Sequence, residues 1–315
     1  MKSMMKHLSE YVAARRALGT RLEEPAQTLR RFVKFLARRK APFITVALSL
    51  EWSQQSRRVQ RATWARKLSM VRQFARWMNA LDLRHQVPPH RLLNVRHRRG
   101  KPHIYSDDEI TRLMAEAAQL KSADRMRAIT LETLIGLLAA TGLRPGEAVA
   151  LGNDDVDLRG QVLSIRESKF GKSRQVPIHS STAAALERYA RHRTQSFCDQ
   201  CSPNFFVSNS GKALNLSEVR RWFCKISRNC GLRKRGNGNQ CGRGPRLQDL
   251  RHTFATKRLV EWYRSGYNVG LQTPKLATYL GHSSVACTYW YIQAVPELLE
   301  LATEFQITSN KGGRK

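Results

Sequence analysis

Four short stretches in the second half of the chain decide its fold and its chemistry: TGLRPGE at 141–147, SKFGKSRQVPI at 168–178, RLQDLRHTFAT at 246–256 and YLGHSSVACTYWYIQ at 279–293. Two arginines, a lysine, a histidine and a tyrosine stand out in them: Arg144, Arg251, Lys169, His282 and Tyr291. Two guanidiniums can bind the non-bridging oxygens of a phosphodiester, and lysine and histidine can transfer protons. A tyrosine hydroxyl can act as nucleophile. The set predicts cleavage and rejoining of a phosphodiester without a metal ion.

The same stretches, in this order, resemble the tyrosine recombinase (phage integrase) family, whose members cut and rejoin DNA strands at specific sites. The resemblance covers residues 104–305, and the nine residues from His282 to Tyr291 match the family's interval. An arginine in a Gly-Leu-Arg turn is common by itself, as is a histidine after Leu-Gly. Their joint occurrence in the family's order is specific, so we expect a DNA recombinase.

The resemblance implies a role for each of these residues in a transesterification. Tyr291 attacks the scissile phosphate and stays linked to the 3′ phosphate, which frees a 5′ hydroxyl for the rejoining step. Arg144 and Arg251 stabilise the charge of the pentacoordinate phosphorane. Lys169 protonates the departing 5′ oxygen, and His282 hydrogen-bonds a phosphate oxygen or assists proton transfer. Neither ATP nor any other cofactor is required.

Four further residues qualify this reading. Glu147 is expected to orient one of the arginines. Gln248 departs from the family, whose members usually carry histidine three residues before the position of Arg251, and an amide can hydrogen-bond a phosphate but cannot exchange a proton near neutral pH. Lys172 rivals the first lysine of its stretch and is otherwise expected to contact DNA. Tyr289 is expected to pack in the core.

The charge of the chain points to a polyanionic partner. Its 315 residues include 55 Lys+Arg and 24 Asp+Glu, a net charge of +31. Residues 1–103 hold 24 of the basic and 5 of the acidic side chains. Such an excess is typical of nucleic-acid binding, so double-stranded DNA is the expected partner. The resemblance implies a homotetramer, or a tetramer with sister recombinases, on paired DNA sites.

The first third of the chain is predicted to be a helical DNA-binding domain, residues 1–103, that ends in a basic linker. Apolar residues repeat at helical spacing from Leu29 to Leu36 and again from Trp64 to Met78. The charged faces of these helices could simply be solvated, but few acidic residues are interleaved, which favours phosphate contact. The residues expected to contact DNA, including those of the linker, are Arg57, Arg58, Arg61, Arg66, Lys67, Arg72, Arg76, Arg98, Arg99 and Lys101.

Residues 104–315 are predicted to form a mixed catalytic domain that closes with the first domain around DNA. Ser106 and Glu109 form a capping-box pattern, and an apolar helix over 129–141 stops at Gly142. Strands at 161–166 and 174–178 form a hairpin, and helices cover 249–262 and 275–280. The expected fold is mainly α with a small β-sheet (α+β).

Several alternatives remain open from the sequence. A type IB topoisomerase or a telomere resolvase uses similar residues, and a catalytically silent DNA-binding regulator could share the fold. Cys198 and Cys201 form a single CxxC that could bind zinc, although later cysteines are irregularly spaced and reduced thiols are the simpler expectation. No stretch reads as a signal peptide or membrane anchor, so a cytoplasmic, nucleoid-associated bacterial protein is expected.

The segment TYWYIQAVPELLELATEF at 288–305 suggests more specific expectations. It resembles the transposon-associated branch of the family more than the cell-division branch, as does the long interval between Arg251 and His282. The apolar residues after Pro296 form a helix that we expect to dock on a neighbouring protomer, the alternative being that it folds back on its own domain.

Overall fold

A computed structural model describes residues 2–20, 22–56, 59–93, 101–122, 125–166, 173–197, 201–234, 244–282, 284–294 and 298–300. The chain divides into two compact units, Met1–Gly100 and Lys101–Lys315. The division falls three residues before the boundary predicted from the sequence. The fold is mostly helical, with 64% helix and one three-stranded antiparallel sheet, which confirms the predicted class.

The first unit is built from helices α1 (Lys2–Ala17), α2 (Glu23–Arg38), α3 (Val46–Gln54) and α4 (Arg61–Leu81). The apolar stripes predicted for α2 and α4 are buried, with Phe32, Val71 and Phe74 at the centre of the core. Trp64 is only half-buried, and its indole N–H donates to the carbonyl of Ser56. Burial of one face of each helix leaves the basic residues of the opposite faces at the surface.

The second unit consists of eight further helices and three strands within the described residues. Its helices are α5 (Asp107–Ala118), α6 (Met126–Thr141), α7 (Pro145–Ala150), α8 (Ser180–Phe197), α9 (Leu216–Asn229), α10 (Asp249–Arg264), α11 (Val269–Leu280) and α12 (Ala286–Ala294). Strands β1 (Val156–Asp157), β2 (Val162–Ile165) and β3 (Arg174–Pro177) lie in that order. The apolar helix α6 packs against α5, α8 and α10 in the core.

Local chemistry sets most helix ends as predicted. Ser106 and Glu109 form the capping box of α5, and α6 ends at Gly142 with φ +62°. The expected start of α11 at Lys275 is wrong, because the helix begins at Val269 and includes Pro274. Asn268 caps this start by accepting a hydrogen bond from the amide of Leu271, and a proline in the second turn removes only one helical hydrogen bond.

Two features bear on the alternatives raised by the sequence. Among the described residues, no helix is both long and apolar enough to cross a membrane. Within the same ranges, no three His, Cys, Asp or Glu side chains are grouped in a way that could hold a metal ion. Cys201 is described and is a free thiol, but Cys198 lies outside the described residues.

Candidate active site

The C-terminal turn of α11 gathers three arginines in one place. Arg174 Nε donates to the carbonyl of Tyr279 at 2.8 Å, Arg251 Nη2 to that of Leu280 at 2.6 Å, and Arg144 Nη2 to that of Gly281 at 2.7 Å. Carbonyls at a helix C-terminus lack the amide partner that carbonyls inside the helix have, and they carry partial negative charge. Three successive carbonyls of one turn therefore fix three guanidiniums.

Arg144 is held a second time by Glu147. Its Nη1 donates to Glu147 Oε1 at 2.6 Å, and its backbone amide donates to Oε2 at 3.1 Å. Arg174 donates to the same carboxylate, through Nη2 to Oε2 at 2.8 Å and through Nη1 to Oε1 at 3.3 Å. Burial raises the pKa of Glu147, but the hydrogen bonds and charges of the two arginines outweigh burial and hold it below its ordinary value. Glu147 thus bridges two guanidiniums.

Arg251 is the most deeply buried of the three arginines. It lies in the first turn of α10, is 2% exposed, and its Nη1 donates to the carbonyl of Gly142 at 2.9 Å. Burial and the nearby charge of Arg144 lower its pKa to about 10, so the guanidinium stays charged at neutral pH. A Cβ at Gly142 would lie 2.6 Å from the ring of Phe254, so this turn requires glycine.

Tyr291 lies against Arg251 and is 3% exposed. Burial raises the pKa of its phenol, while the charge of Arg251 and a hydrogen bond from that guanidinium oppose the rise. Its ring centroid is 6.0 Å from that of His282 and 5.4 Å from that of His252. The hydroxyl of Tyr291 is therefore a neutral phenol directed at a buried cation.

His282 follows the glycine turn that ends α11. Its Nδ1 is 2.7 Å from Thr288 Oγ1, and its backbone amide donates to the carbonyl of Ala277. Burial lowers the pKa of its imidazole to about 3, and the charges of Arg251 and Arg144 act in the same direction. His282 is therefore neutral at physiological pH, so it can share hydrogen bonds but carries no charge.

The two tyrosines of α12 are arranged differently from what the sequence suggested for Tyr289. Tyr289 is 44% exposed, so the expectation that it packs in the core is wrong. Residues two apart on an α-helix point about 200° away from each other, so burial of Tyr291 turns Tyr289 towards solvent.

The remaining candidates are placed as follows. Gln248 is half-buried at the start of α10, and its side chain does not cap the helix. Lys169 and Lys172 lie outside the described residues. Sequence reasoning missed Arg174, although it shares a face of β3 with the buried Val176, and a charged residue on the inward face of a strand is a signal of a specific partner.

The basic residues expected to contact DNA fall into three groups. Arg61, Arg66, Arg76 and Lys101 are exposed, and Lys67 is half-buried with its ammonium 5.6 Å from the ring centre of Trp52. Arg72 does not fit the expectation, because it is buried and donates to the carbonyls of Pro88 and Pro89 at 2.8 Å each. Those outside the described residues are Arg57, Arg58, Arg98 and Arg99.

Known proteins resemble both the sequence and the fold. The model of the phage integrase family matches residues 104–297. A putative integrase/recombinase, y4rB of Sinorhizobium fredii, is 42% identical over 96% of each chain. The tyrosine recombinase XerD of Rhizobium meliloti is 32% identical over 75% of this chain and 71% of its own.

The fold is also that of a solved recombinase complex. The Tn1549 transposon integrase in complex with transposon right end DNA aligns with a TM-score of 0.63, over 91% of this chain and 94% of its own, at 15% identity. The family match covers well over half of the chain, and the relatives match in sequence along most of it. This chain therefore belongs to the phage integrase family of tyrosine recombinases.

Proposed function

We propose that this chain is a site-specific DNA recombinase in which Tyr291 is the nucleophile and Arg144 and Arg251 bind the scissile phosphate. The observation that carries the proposal is that the buried phenol of Tyr291 lies beside the buried Arg251 guanidinium, whose charge and hydrogen bond act on it. Arg144 is tied to the carbonyl next to the one that holds Arg251. A phosphate bound by both guanidiniums would therefore lie within reach of the phenol.

The reaction is a transesterification that conserves the number of phosphodiester bonds. The Tyr291 oxygen bonds to phosphorus, and the bond from phosphorus to the 5′ oxygen breaks, leaving a 3′-phosphotyrosyl link. The phenol proton goes to a neighbouring base or to solvent, and Lys169 gives a proton to the departing 5′ oxygen. A 5′ hydroxyl of the partner strand then reverses these steps and seals the exchanged strand.

The two arginines supply most of the stabilisation. The phosphorane carries one more negative charge than the phosphodiester, and guanidiniums already fixed by backbone carbonyls need no reorganisation to meet it. His282, neutral here, is suited to hydrogen-bonding a phosphate oxygen rather than to adding charge. Gln248 is assigned a hydrogen bond to phosphate, because its amide cannot take part in acid-base exchange.

Tyr291 must change partners before it can react. Its side chain is buried, and its hydroxyl interacts with the Arg251 guanidinium. A phosphate oxygen is a stronger acceptor for a guanidinium than a phenol oxygen is, since charge-assisted hydrogen bonds are the stronger ones. DNA binding is therefore expected to displace the phenol from Arg251 and leave it beside the phosphorus.

Double-stranded DNA is the proposed partner, with four protomers on paired sites. The net charge of +31 and the exposed basic residues of α4 support DNA binding. The name of the Sinorhizobium fredii relative and the DNA complex of the Tn1549 transposon integrase favour a role in a mobile element, in the transposon-associated branch.

Covalent capture tests the proposal directly. A nicked suicide substrate that carries the target site should trap the protein on DNA, and Tyr291→Phe should remove the adduct while leaving DNA affinity unchanged. Tyr289→Phe is the matched control, because it makes the same change two residues away on the exposed side of α12. An adduct with Tyr291→Phe that is lost with Tyr289→Phe would exchange the two assignments.

The same assay separates the rival activities. A silent regulator forms no adduct in the wild type. A topoisomerase forms an adduct and relaxes plasmids that carry one site or none, whereas a recombinase exchanges strands only between two sites. Products that depend on two sites support the proposal.

A further inference from the structure

Arg174 lies at the start of β3. Its guanidinium contacts the C-terminal turn of α11, which also holds Arg144 and Arg251, the two proposed phosphate ligands. Its Nε donates to the carbonyl of Tyr279, and its two terminal nitrogens donate to both oxygens of Glu147. The backbone at Gly281 packs so closely on this guanidinium that a Cβ there would lie 2.7 Å from Nη1. Arg174 thus joins three points of the site: the end of α11, the glycine turn before His282 and the start of α7.

These contacts suit a residue that positions others better than one that binds the substrate. The side chain of Arg174 is 10% exposed, which lies between Arg144 at 25% and the buried Arg251, so its partners rather than its exposure indicate its role. Each nitrogen of the Arg174 guanidinium donates to a carboxylate or a backbone carbonyl, whereas Arg251 also interacts with the Tyr291 hydroxyl, a neutral partner that a phosphate oxygen can replace. A planar fork with donors on all three nitrogens can hold a carboxylate with two of them and a carbonyl with the third.

The removal of Arg174 would release two constraints. Glu147 would keep only Arg144, and a carboxylate held by one guanidinium can turn with it. The carbonyl of Tyr279 would lose its donor, which loosens the turn whose next two carbonyls fix Arg251 and Arg144. Loss of Arg174 would therefore change phosphate binding only indirectly, by altering the positions of Arg144 and Arg251.

We propose that Arg174 is a positioning residue for strand cleavage, one that sets the geometry of Arg144 through Glu147 and of the 279–281 turn through the carbonyl of Tyr279. This inference rests on the proposed function. Lysine cannot replace this arginine, because a single ammonium cannot span both carboxylate oxygens and a carbonyl in fixed directions. The cleavage rate should therefore depend on the planar geometry of the Arg174 guanidinium and not only on its positive charge.

The experiment compares Arg174→Lys and Arg174→Ala with the full-length wild type. Arg166→Ala is the matched control, since Arg166 is an exposed arginine at the end of the neighbouring strand that also pairs with an acid, Asp155. Single-turnover cleavage, DNA affinity and the melting temperature are measured for each. Arg174→Lys should cleave about 100-fold more slowly, the size of effect expected from a small misplacement of catalytic groups. Its DNA affinity should stay near wild type, its melting transition should remain cooperative, and Arg166→Ala should cleave normally.

A second substrate distinguishes positioning from a general structural role. A methylphosphonate at the scissile position has no negative charge, so correct placement of the guanidiniums matters less for it. The penalty of Arg174→Lys should shrink at least several-fold on this substrate. An equal penalty on both substrates would overturn the inference, as would a wild-type rate with the phosphodiester.

The results that would overturn this inference differ from the results that would overturn the proposed function. If the wild type forms no adduct, the proposed function fails and the inference fails with it. If the wild type cleaves and Arg174→Lys cleaves equally well, only the inference fails. Should Arg174→Ala lose its cooperative melting transition, the comparison of Arg174→Lys on the two substrates decides the question alone.

Discussion

The buried phenol of Tyr291 lies beside the buried guanidinium of Arg251, whose charge and hydrogen bond act on it, so the proposed nucleophile and one proposed charge stabiliser are neighbours. Burial raises the pKa of the phenol more than the cation lowers it. The tyrosine is therefore a neutral phenol at physiological pH. Activation of Tyr291 is coupled to phosphate binding, because the Arg251 guanidinium contacts the phenol and is also proposed to bind the phosphate.

Arg144 and Arg251 should contribute similarly to cleavage but differently to stability. Arg144→Ala and Arg251→Ala should each slow single-turnover cleavage by about 100- to 1000-fold, the loss typical of one preorganised donor. Arg251→Ala should also lower the free energy of unfolding by about 1–3 kcal/mol, because it leaves the carbonyls of Gly142 and Leu280 without their donor. Arg144→Ala should cost less stability, since Glu147 keeps Arg174. Near-normal cleavage by either variant contradicts the two-arginine site.

His282 should make the DNA-free protein less stable in acid. Its pKa is about 3 in the folded chain against an ordinary 6.5, so between these values the unfolded chain binds a proton that the folded chain does not. This contribution to stability is complete above pH 6.5 and is lost as the pH falls towards 3. His282→Asn should therefore show a shallower fall in melting temperature over this range. Parallel curves for the variant and the wild type would mean that His282 is protonated in the fold.

Gln248→His tests the position at which the resemblance to the family implies a histidine. Gln248 is half-buried at the start of α10, one turn from Arg251 and without a capping hydrogen bond. A histidine there could both hydrogen-bond phosphate and exchange a proton. The cleavage rate should stay the same or rise. A collapse of the rate in a variant that melts normally would show that the amide has a role of its own.

The sequence predicted those parts of the fold and the site that depend on neighbours along the chain. The capping box of Ser106 and the end of α6 at Gly142 are local events, and both were predicted. The paired contacts of Arg174 were not, because its partners Glu147 and Tyr279 are 27 and 105 residues away along the chain. No local sequence pattern predicts a contact between residues so far apart along the chain.

Two predictions were wrong because the residue type was given more weight than the position of the residue in its helix. Arg72 was grouped with the charged face of α4, yet it lies four residues after Leu68 and three before Ala75, both buried, and so belongs to the same stripe. The helix was expected to start at Lys275, although α11 begins at Val269 and includes Pro274. In both cases the periodicity of the helix outweighed the ordinary preference of the residue.

The contrast between Arg72 and Arg76 gives a test of DNA binding by the first unit. The affinity of the whole protein should fall with salt with a log–log slope of about −5 or steeper if six phosphates are neutralised. Arg76→Ala should reduce that slope by about one, since an exposed arginine at a phosphate releases one counterion. Arg72→Ala should leave the slope unchanged and lower the melting temperature, because it removes the donor to Pro88 and Pro89. The opposite pattern would place Arg72 on DNA.

The C-terminal segment offers a second matched pair, Leu298 and Leu299. Leu298 is fully buried in the cluster that contains Tyr291, so at this residue the chain packs on its own unit, whereas Leu299 is 47% exposed. Leu298→Ala should lower the free energy of unfolding by about 2–5 kcal/mol, as core truncations do, and should slow cleavage by a single protomer because the cluster supports Tyr291.

Leu299→Ala should change the stability of the free protein by less than about 0.5 kcal/mol, as is usual at exposed positions. If the segment also docks on a neighbour, this variant and truncation after Val295 should both weaken tetramer formation on paired sites, while one protomer still binds DNA. Sedimentation of each protein with site-bearing DNA measures this. Wild-type assembly by Leu299→Ala, together with reduced cleavage by Leu298→Ala, would mean that the segment serves its own protomer and does not link neighbours.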